Sequence, residues 1–269
     1  MAGTTKSDYA EIARQSRLKT LELIYKAQTS HIGSNFSVAD IMAVLFEHVN
    51  LDKDKVILSA GWKAAMLYYH LWRKGRIKKS ELESYCQPDS KWIGLAEPIH
   101  PDIPFAGGSM GMGLAAGVAI AWSKKQRSEE GTVYVIESDG GMQCGSTYEA
   151  LSFAYHHKLT NIILIVDSNG HQAMGVTDSI NRQKIDRVLY GFGWIVAKEE
   201  DGHSYMGLDW DIGSKRDLQL TSERLQRPAA LVAKTIKGKG VSFMENNNLY
   251  HYKQLSEEEY LKAKTELHG

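Results

Sequence analysis

The chain has 269 residues, 43% hydrophobic and 24% charged, and its 32 basic and 32 acidic side chains cancel to a formal net charge of zero. That composition excludes disordered, collagen-like and disulfide-scaffold chains, and the missing basic excess argues against a nucleic-acid partner. Two cysteines, Cys86 and Cys144, an N-terminus without an apolar leader and no apolar run near the ~18–20 residues of a membrane helix point to a reducing, cytoplasmic setting with no membrane anchor.

In chain order, the first expected element is a helix over about 8–28, with Asp8 and Glu11 as a capping pair and Ile12, Leu21 and Ile24 on its apolar face. A second helix is expected from near Ser37, carrying Ile41, Val44, Leu45 and Val49. Val56-Ile-Leu58 reads as a short buried strand, followed by a helix over about 61–73. Pro88, Pro98, Pro101 and Pro104 make 86–109 a long loop ending at Gly107-Gly108, and loops this long inside a domain usually serve function. Gly111-Met-Gly113-Leu-Ala-Ala116 matches a loose dinucleotide pattern but follows no strand, so it reads as a helix start. Thr132-Val-Tyr-Val-Ile136 and Asn161-Ile-Ile-Leu-Ile-Val166 are apolar runs suited to strands buried on both faces, with a helix over 146–157 between them. Strand, helix, strand is a βαβ unit, which predicts a doubly wound α/β fold: a mainly parallel sheet with helices on both faces. Ala229-Ala-Leu-Val-Ala233 reads as a later strand and 256–267 as a closing helix. No repeat, low-complexity tract or linker divides the chain, so one domain over 1–269 is expected.

Both middle strands run into polar, glycine-flanked turns, Glu137-Ser-Asp139-Gly-Gly141 and Asp167-Ser-Asn169-Gly170. Ligands of open parallel sheets sit at the carboxyl ends of the strands, where Asp139 and Asn169 would meet. A carboxylate and an amide oxygen are hard ligands suited to Mg²⁺ or Ca²⁺, and Gly140 and Gly141 would let a diphosphate approach the backbone N–H groups. Two ordinary turns, with Asp139 capping a helix, explain the same residues. No G-x-x-x-x-G-K-[ST] occurs, so a P-loop is excluded.

Asp139-Gly140 followed by Asn169 resembles the thiamine-diphosphate motif, and the surrounding segments resemble transketolase. They are Ser30-His31-Ile-Gly-Ser34 with Phe36-Ser37, Leu58-Ser-Ala-Gly61 with Leu67-Tyr68 and Gly75, His100-Pro101-Asp102, and Gly108-Ser-Met-Gly111-x-Gly113. Phe192-Gly-Trp194, Asp201-Gly-His203, Thr235-x-Lys-Gly-Lys-Gly240 and Tyr250-His251 follow in family order. The resemblance implies the diphosphate-binding domain of the thiamine-diphosphate fold. It also implies transfer of a two-carbon ketol unit from a ketose to an aldose, with thiamine diphosphate and Mg²⁺ or Ca²⁺ as cofactors. Asp139 and Asn169 would bind the metal by side chain and His171 by its carbonyl. Gly108, Met110, Asp139, Gly140, Gly141, Asn169 and His251 would hold the cofactor, and His31, His100 and His251 would point into the substrate channel as catalytic histidines.

The resemblance covers only the cofactor-diphosphate part of a transketolase, so the pyrimidine and C-terminal domains are expected on a partner chain, in a dimer of heterodimers acting on sugar phosphates. Trp62 stands where the family has a histidine, which makes it a substrate-selectivity candidate. Cys144 replaces an interface glutamate, Ser138 the first glycine of the metal motif and Tyr252 a glycine, and the 100–108 loop is short. These departures leave open a ketol transferase with a modified or branched donor. A non-catalytic cofactor-binding scaffold is the alternative of another class.

Overall fold

The computed structural model describes residues 6–213 and 217–269. Its strands are β1 (Lys55–Leu58), β2 (Val133–Ser138), β3 (Ile162–Ser168), β4 (His171–Gln172), β5 (Gly175–Val176), β6 (Ile195–Glu199) and β7 (Ala229–Lys234). The helices are α1 (Lys6–Ala27), α2 (Ile32–Ser37), α3 (Ala39–His48), α4 (Ala64–Arg73), α5 (Lys79–Glu83), α6 (Met112–Gln126), α7 (Gly145–His156), α8 (Thr177–Ile180), α9 (Ile185–Gly191), α10 (Tyr205–Asp211), α11 (Asp217–Leu225) and α12 (Glu257–His268). Five strands form one sheet in the order β1-β2-β3-β7-β6, parallel throughout, and β4 and β5 make a small antiparallel hairpin.

The alternation of side chains along each strand sorts the core into two halves. Val56, Leu58, Tyr134, Ile136, Ile163, Ile165 and Leu231 pack on one face against α1, α3, α4 and the α10–α12 helices. Ile57, Val133, Val135, Ile162, Leu164, Val166 and Ala230 pack on the other against α6, α7 and α9. Both faces are therefore dry, which is why β2 and β3 read as unbroken apolar runs. The expected doubly wound fold is present.

Some expectations need correction. The helix expected from Ser37 is preceded by a separate turn of helix, α2, and the two are broken at Val38. The break follows from side-chain hydroxyls bonding their own backbone: Ser34 Oγ donates to His31 O at 3.1 Å and Ser37 Oγ to Ser34 O at 3.0 Å. Val49 lies just past the end of α3. The strand β6 and the helices α9 to α11 are not legible in the sequence. Lying at the sheet edge, β6 is only half buried, so its Ile-Val-Ala-Lys-Glu pattern is neither continuous nor alternating. The glycines of the dinucleotide-like segment serve packing: a Cβ on Gly113 would sit 2.4 Å from Ser59 Cβ, which holds the start of α6 against the end of β1.

Candidate active site

The register of the sheet brings the two turns together. Ser138 pairs with Asp167, so Asp139 and Asn169 leave adjacent strands at the same edge. The backbone N–H of Gly170 donates to Asp139 Oδ2 at 2.6 Å, and Thr177 Oγ1 reaches the same oxygen at 3.4 Å. Asp139 is 2% exposed; burial, then the neighbouring Asp167 carboxylate, push its pKa up to about 6. A divalent cation would relieve both effects. Asn169 Oδ1 accepts the His171 N–H at 3.1 Å, and the His171 ring turns back to pair with Asn169 O at 3.0 Å, which leaves its carbonyl as the available donor type. Among the described residues no cluster of three or more His, Cys, Asp or Glu side chains could hold a metal. One carboxylate, one amide oxygen and one carbonyl instead suit a hard cation that takes its other ligands from phosphate and water.

Over this edge lies a cavity of about 200 Å³. Ser138, Gly140, Asn169 and His171 line it from the strand ends, His31, Ser34, Trp62 and Lys63 from α2 and the start of α4, and Lys237, His251 and Tyr252 from the segments after β7. Met110 and the β4–β5 hairpin residues Gln172, Ala173 and Met174 close it. Gly140 serves as a cradle, since a Cβ there would meet only the tips of Met110 and Gln172, 3.6 and 3.7 Å away, across the cavity. Gly141 has a different role. Its N–H donates to Ser138 Oγ at 3.2 Å, and a Cβ would collide with the buried Glu137 carboxylate at 1.8 Å, so the turn itself requires the glycine.

The rings of His31, His251 and Tyr252 pack edge to face, with centroids 4.6–5.4 Å apart, and Trp62 lies 6.3 Å from His31. Burial, then Lys237, hold the His31 pKa down to about 4; burial, then Lys237 and His31, hold that of His251 to about 3. Both imidazoles are therefore neutral at pH 7. Trp62 faces the cavity rather than packing under the helix start. His100 and Gly108 do not line it: the Asp102 N–H donates to His100 Nδ1 at 3.2 Å, and Gly108 lies exposed on the loop. Cys144, half buried at the start of α7, directs its Sγ toward Gly140 O at 3.7 Å.

Two lysines carry no role legible in the sequence. Lys63 is fully buried and pairs with Asp167 Oδ2 at 2.5 Å; burial pushes the Asp167 carboxyl up and Lys63 more than offsets it. Ser37 Oγ also donates to Asp167 Oδ2, at 2.6 Å. Lys237 is 1% exposed, and its Nζ contacts only neutral groups, Asn248 Oδ1 at 3.0 Å and His251 Nδ1 at 2.8 Å. Burial brings its ammonium down to about 8 against the pull of Asp167. The one signal for it is a charged residue inside a family-like segment of otherwise small residues. A wider groove of about 810 Å³ shares Asn169 and runs between the ends of β3, β7 and β6. Its charges are mixed and partly paired, as in Lys198–Asp186 at 3.3 Å, so it lacks the single-signed lining of the smaller cavity.

Comparison with known proteins agrees with this geometry. The model of the transketolase thiamine diphosphate binding domain matches residues 9–268. One of the two chains of the apulose-4-phosphate transketolase of Phocaeicola vulgatus is 28% identical over 95% of this chain and 92% of its own length. The 6-deoxy-6-sulfo-D-fructose transketolase subunit SqwG of a Clostridium species is 30% identical over 97% and 96%. Human transketolase is 30% identical over 91% of this chain but only 40% of its own. The crystal structure of transketolase from Campylobacter jejuni superposes with a TM-score of 0.89 at 28% identity, covering 98% of this chain and 43% of that one. The chain thus spans the length of the split relatives and about two fifths of the single-chain enzymes. It belongs to the transketolase family and carries that family's thiamine diphosphate binding domain.

Proposed function

We propose that this chain is the cofactor-binding subunit of a transketolase that works with a partner chain carrying the pyrimidine and C-terminal domains. The supporting observation is the cavity itself. It gathers Gly140, Asn169, His31 and His251 around the Lys237 ammonium, and no Asp or Glu lines it. An anionic diphosphate with a divalent cation suits that lining. Asp139, the Asn169 side chain and the His171 carbonyl would hold Mg²⁺ or Ca²⁺, with Gly140 offering its backbone to the diphosphate and Lys237 a positive charge. When bound, thiamine diphosphate supplies the carbanion chemistry that carries a two-carbon unit. The protein's part is to orient that group, shed water and move protons. His31 and His251, held neutral, can accept a proton from a donor hydroxyl and return it to the acceptor carbonyl. His100, outside the cavity of this chain, would enter such a channel only with a loop shift or with walls from the partner.

An assembly of two copies of each chain is consistent with the outer face of α6 and α7. Met112, Trp122 and Phe153 there are 43%, 38% and 41% exposed, an apolar surface suited to a protein interface. A modified donor sugar is favoured over ordinary ketose phosphates by Trp62 and Tyr252, which place an indole and a phenol at the cavity, and by the donors for which the two split relatives are named. The test is to purify the chain with its C-terminal partner and assay a panel of ketose donors with thiamine diphosphate and Mg²⁺. Turnover requiring both chains is expected. Robust turnover by this chain alone would refute the split arrangement, and cofactor binding without turnover on any donor would favour the scaffold.

A further inference from the structure

The segment that carries Lys237 leaves β7 without regular structure, so its shape depends on individual hydrogen bonds. Thr235 N–H donates to Ser168 O at 3.1 Å, Gly238 N–H to Gly33 O at 2.9 Å, and Lys237 O accepts Asn246 N–H at 2.9 Å. These three join backbone to backbone. The fourth ends on an imidazole: Ile236 N–H donates to His203 Nε2 at 2.9 Å. A nitrogen that accepts carries no proton, so the His203 proton sits on Nδ1, which lies 2.6 Å from Asp40 Oδ2. Asp40 is 2% exposed and also accepts from Tyr205 OH at 2.6 Å and from the Arg17 guanidinium, which reaches on to Phe36 O in α2 at 3.1 Å.

The charges in this buried chain are balanced in a particular way. Burial pushes the Asp40 carboxyl up, and Arg17 with the His203 N–H holds it well below the ordinary carboxylate range. Because Arg17 already neutralises Asp40, the imidazole is not driven to take the second proton that would remove its acceptor nitrogen. None of Arg17, Asp40 or His203 lines the cavity. The chain nevertheless touches two of its walls, α2 with Ser34 and the segment with Lys237.

We propose that His203 is a positioning residue: from outside the cavity, the Arg17–Asp40–His203 chain fixes the Ile236 amide and thereby aims the adjacent Lys237 ammonium at the bound anion. This rests on reading the cavity as the thiamine diphosphate site. It accounts for the Asp201-Gly-His203 segment, which the cavity does not otherwise use. His203 N–H is itself tied to Asp201 Oδ1 at 3.1 Å, so the turn presents the ring in one orientation.

The test uses the full chain, calorimetry with thiamine diphosphate and Mg²⁺, and amide hydrogen exchange at Ile236. His203→Asn keeps an N–H for Asp40 but places no acceptor at the Nε2 position; His203→Gln reaches that position with an amide oxygen. The expected result is a loss of about tenfold in affinity and a drop in Ile236 protection for His203→Asn, with most of both recovered in His203→Gln. In a Lys237→Met background, His203→Asn should cost little more. Wild-type affinity in His203→Asn, a loss that adds in full to that of Lys237→Met, or a His203→Gln variant no better than His203→Asn would overturn the proposal. Should His203→Asn not fold, the cycle between His203→Gln and Lys237→Met decides it, with coupling expected and full additivity contradicting it. If the unsubstituted chain binds no thiamine diphosphate, the cofactor reading is what fails. The exchange data then decide alone: protection lost in His203→Asn and kept in His203→Gln supports the positioning role, and equal protection in both overturns it.

Discussion

At the floor of the cavity, where β2 and β3 end, Asp139, Asp167 and Asn169 are buried, and each is tied to backbone or to another buried group. At the rim the side chains stand partly in solvent: Met110 is 46% exposed, Tyr252 62% and Met174 81%. The floor carries the residues that match the family, and the rim carries the departures, Trp62 and Tyr252. The physical lesson is that a buried charge restricts its neighbours. Asp167 needs Lys63, Ser37 and Thr235 around it, whereas a half-exposed aromatic can be exchanged at little cost to the fold.

The largest effect that separates the two regions should come from Lys63→Met. It strands a fully buried Asp167, and urea unfolding should show a loss of about 3–5 kcal/mol. A loss below about 1 kcal/mol, the range of surface pairs, would break the distinction. Next, Asp139→Ala should weaken Mg²⁺-dependent thiamine diphosphate binding by at least about 100-fold, or roughly 2.7 kcal/mol, because the diphosphate loses the ligand that brings its counter-charge. Unchanged affinity in calorimetry would remove Asp139 from the metal site.

A smaller effect links floor to rim. The pKa values of His31 and His251 lie near 4 and 3, below the ordinary 6.5, so NMR titration of their ring protons should show both neutral down to about pH 5. A base whose folded pKa is depressed contributes stability that is present above its unfolded value, near 6.5, and is lost as pH falls toward the folded values. The chain should therefore weaken between about pH 6.5 and 4. Lys237→Met, by removing one cation, should raise both histidine pKa values and flatten that decline; unmoved titration curves would uncouple the two regions. The smallest effect on binding is expected at the rim. Trp62→His should leave cofactor affinity within about tenfold, or 1.4 kcal/mol, while shifting kcat/KM toward ordinary ketose phosphates in the reconstituted enzyme. Parallel changes across all donors would place Trp62 outside substrate selection.

The contribution of sequence differs by element. The β2 and β3 runs and the helix between them were legible because strands covered on both faces must be apolar at nearly every position. Their polar turns were legible because the topology puts strand ends together. The half-exposed β6 carried no comparable pattern. Of the ten histidines, only resemblance singled out His31, His100 and His251, and the fold gathers two of these. The same holds for Gly141, whose N–H and missing Cβ serve the turn, and for Gly108, which lies on the loop surface.

By itself, the sequence determined the α/β class, the two strand-end turns and the residue types that could bind a hard cation, because these depend on local period and local chemistry. Tertiary structure alone decided that Lys63 meets Asp167 across 104 residues, that Lys237 touches His251, that Trp62 faces the cavity and that His100 turns away. The reason is that such partnerships form when separate βα units pack side by side. Their energy comes from burial shared between distant segments, and no spacing within either segment records it.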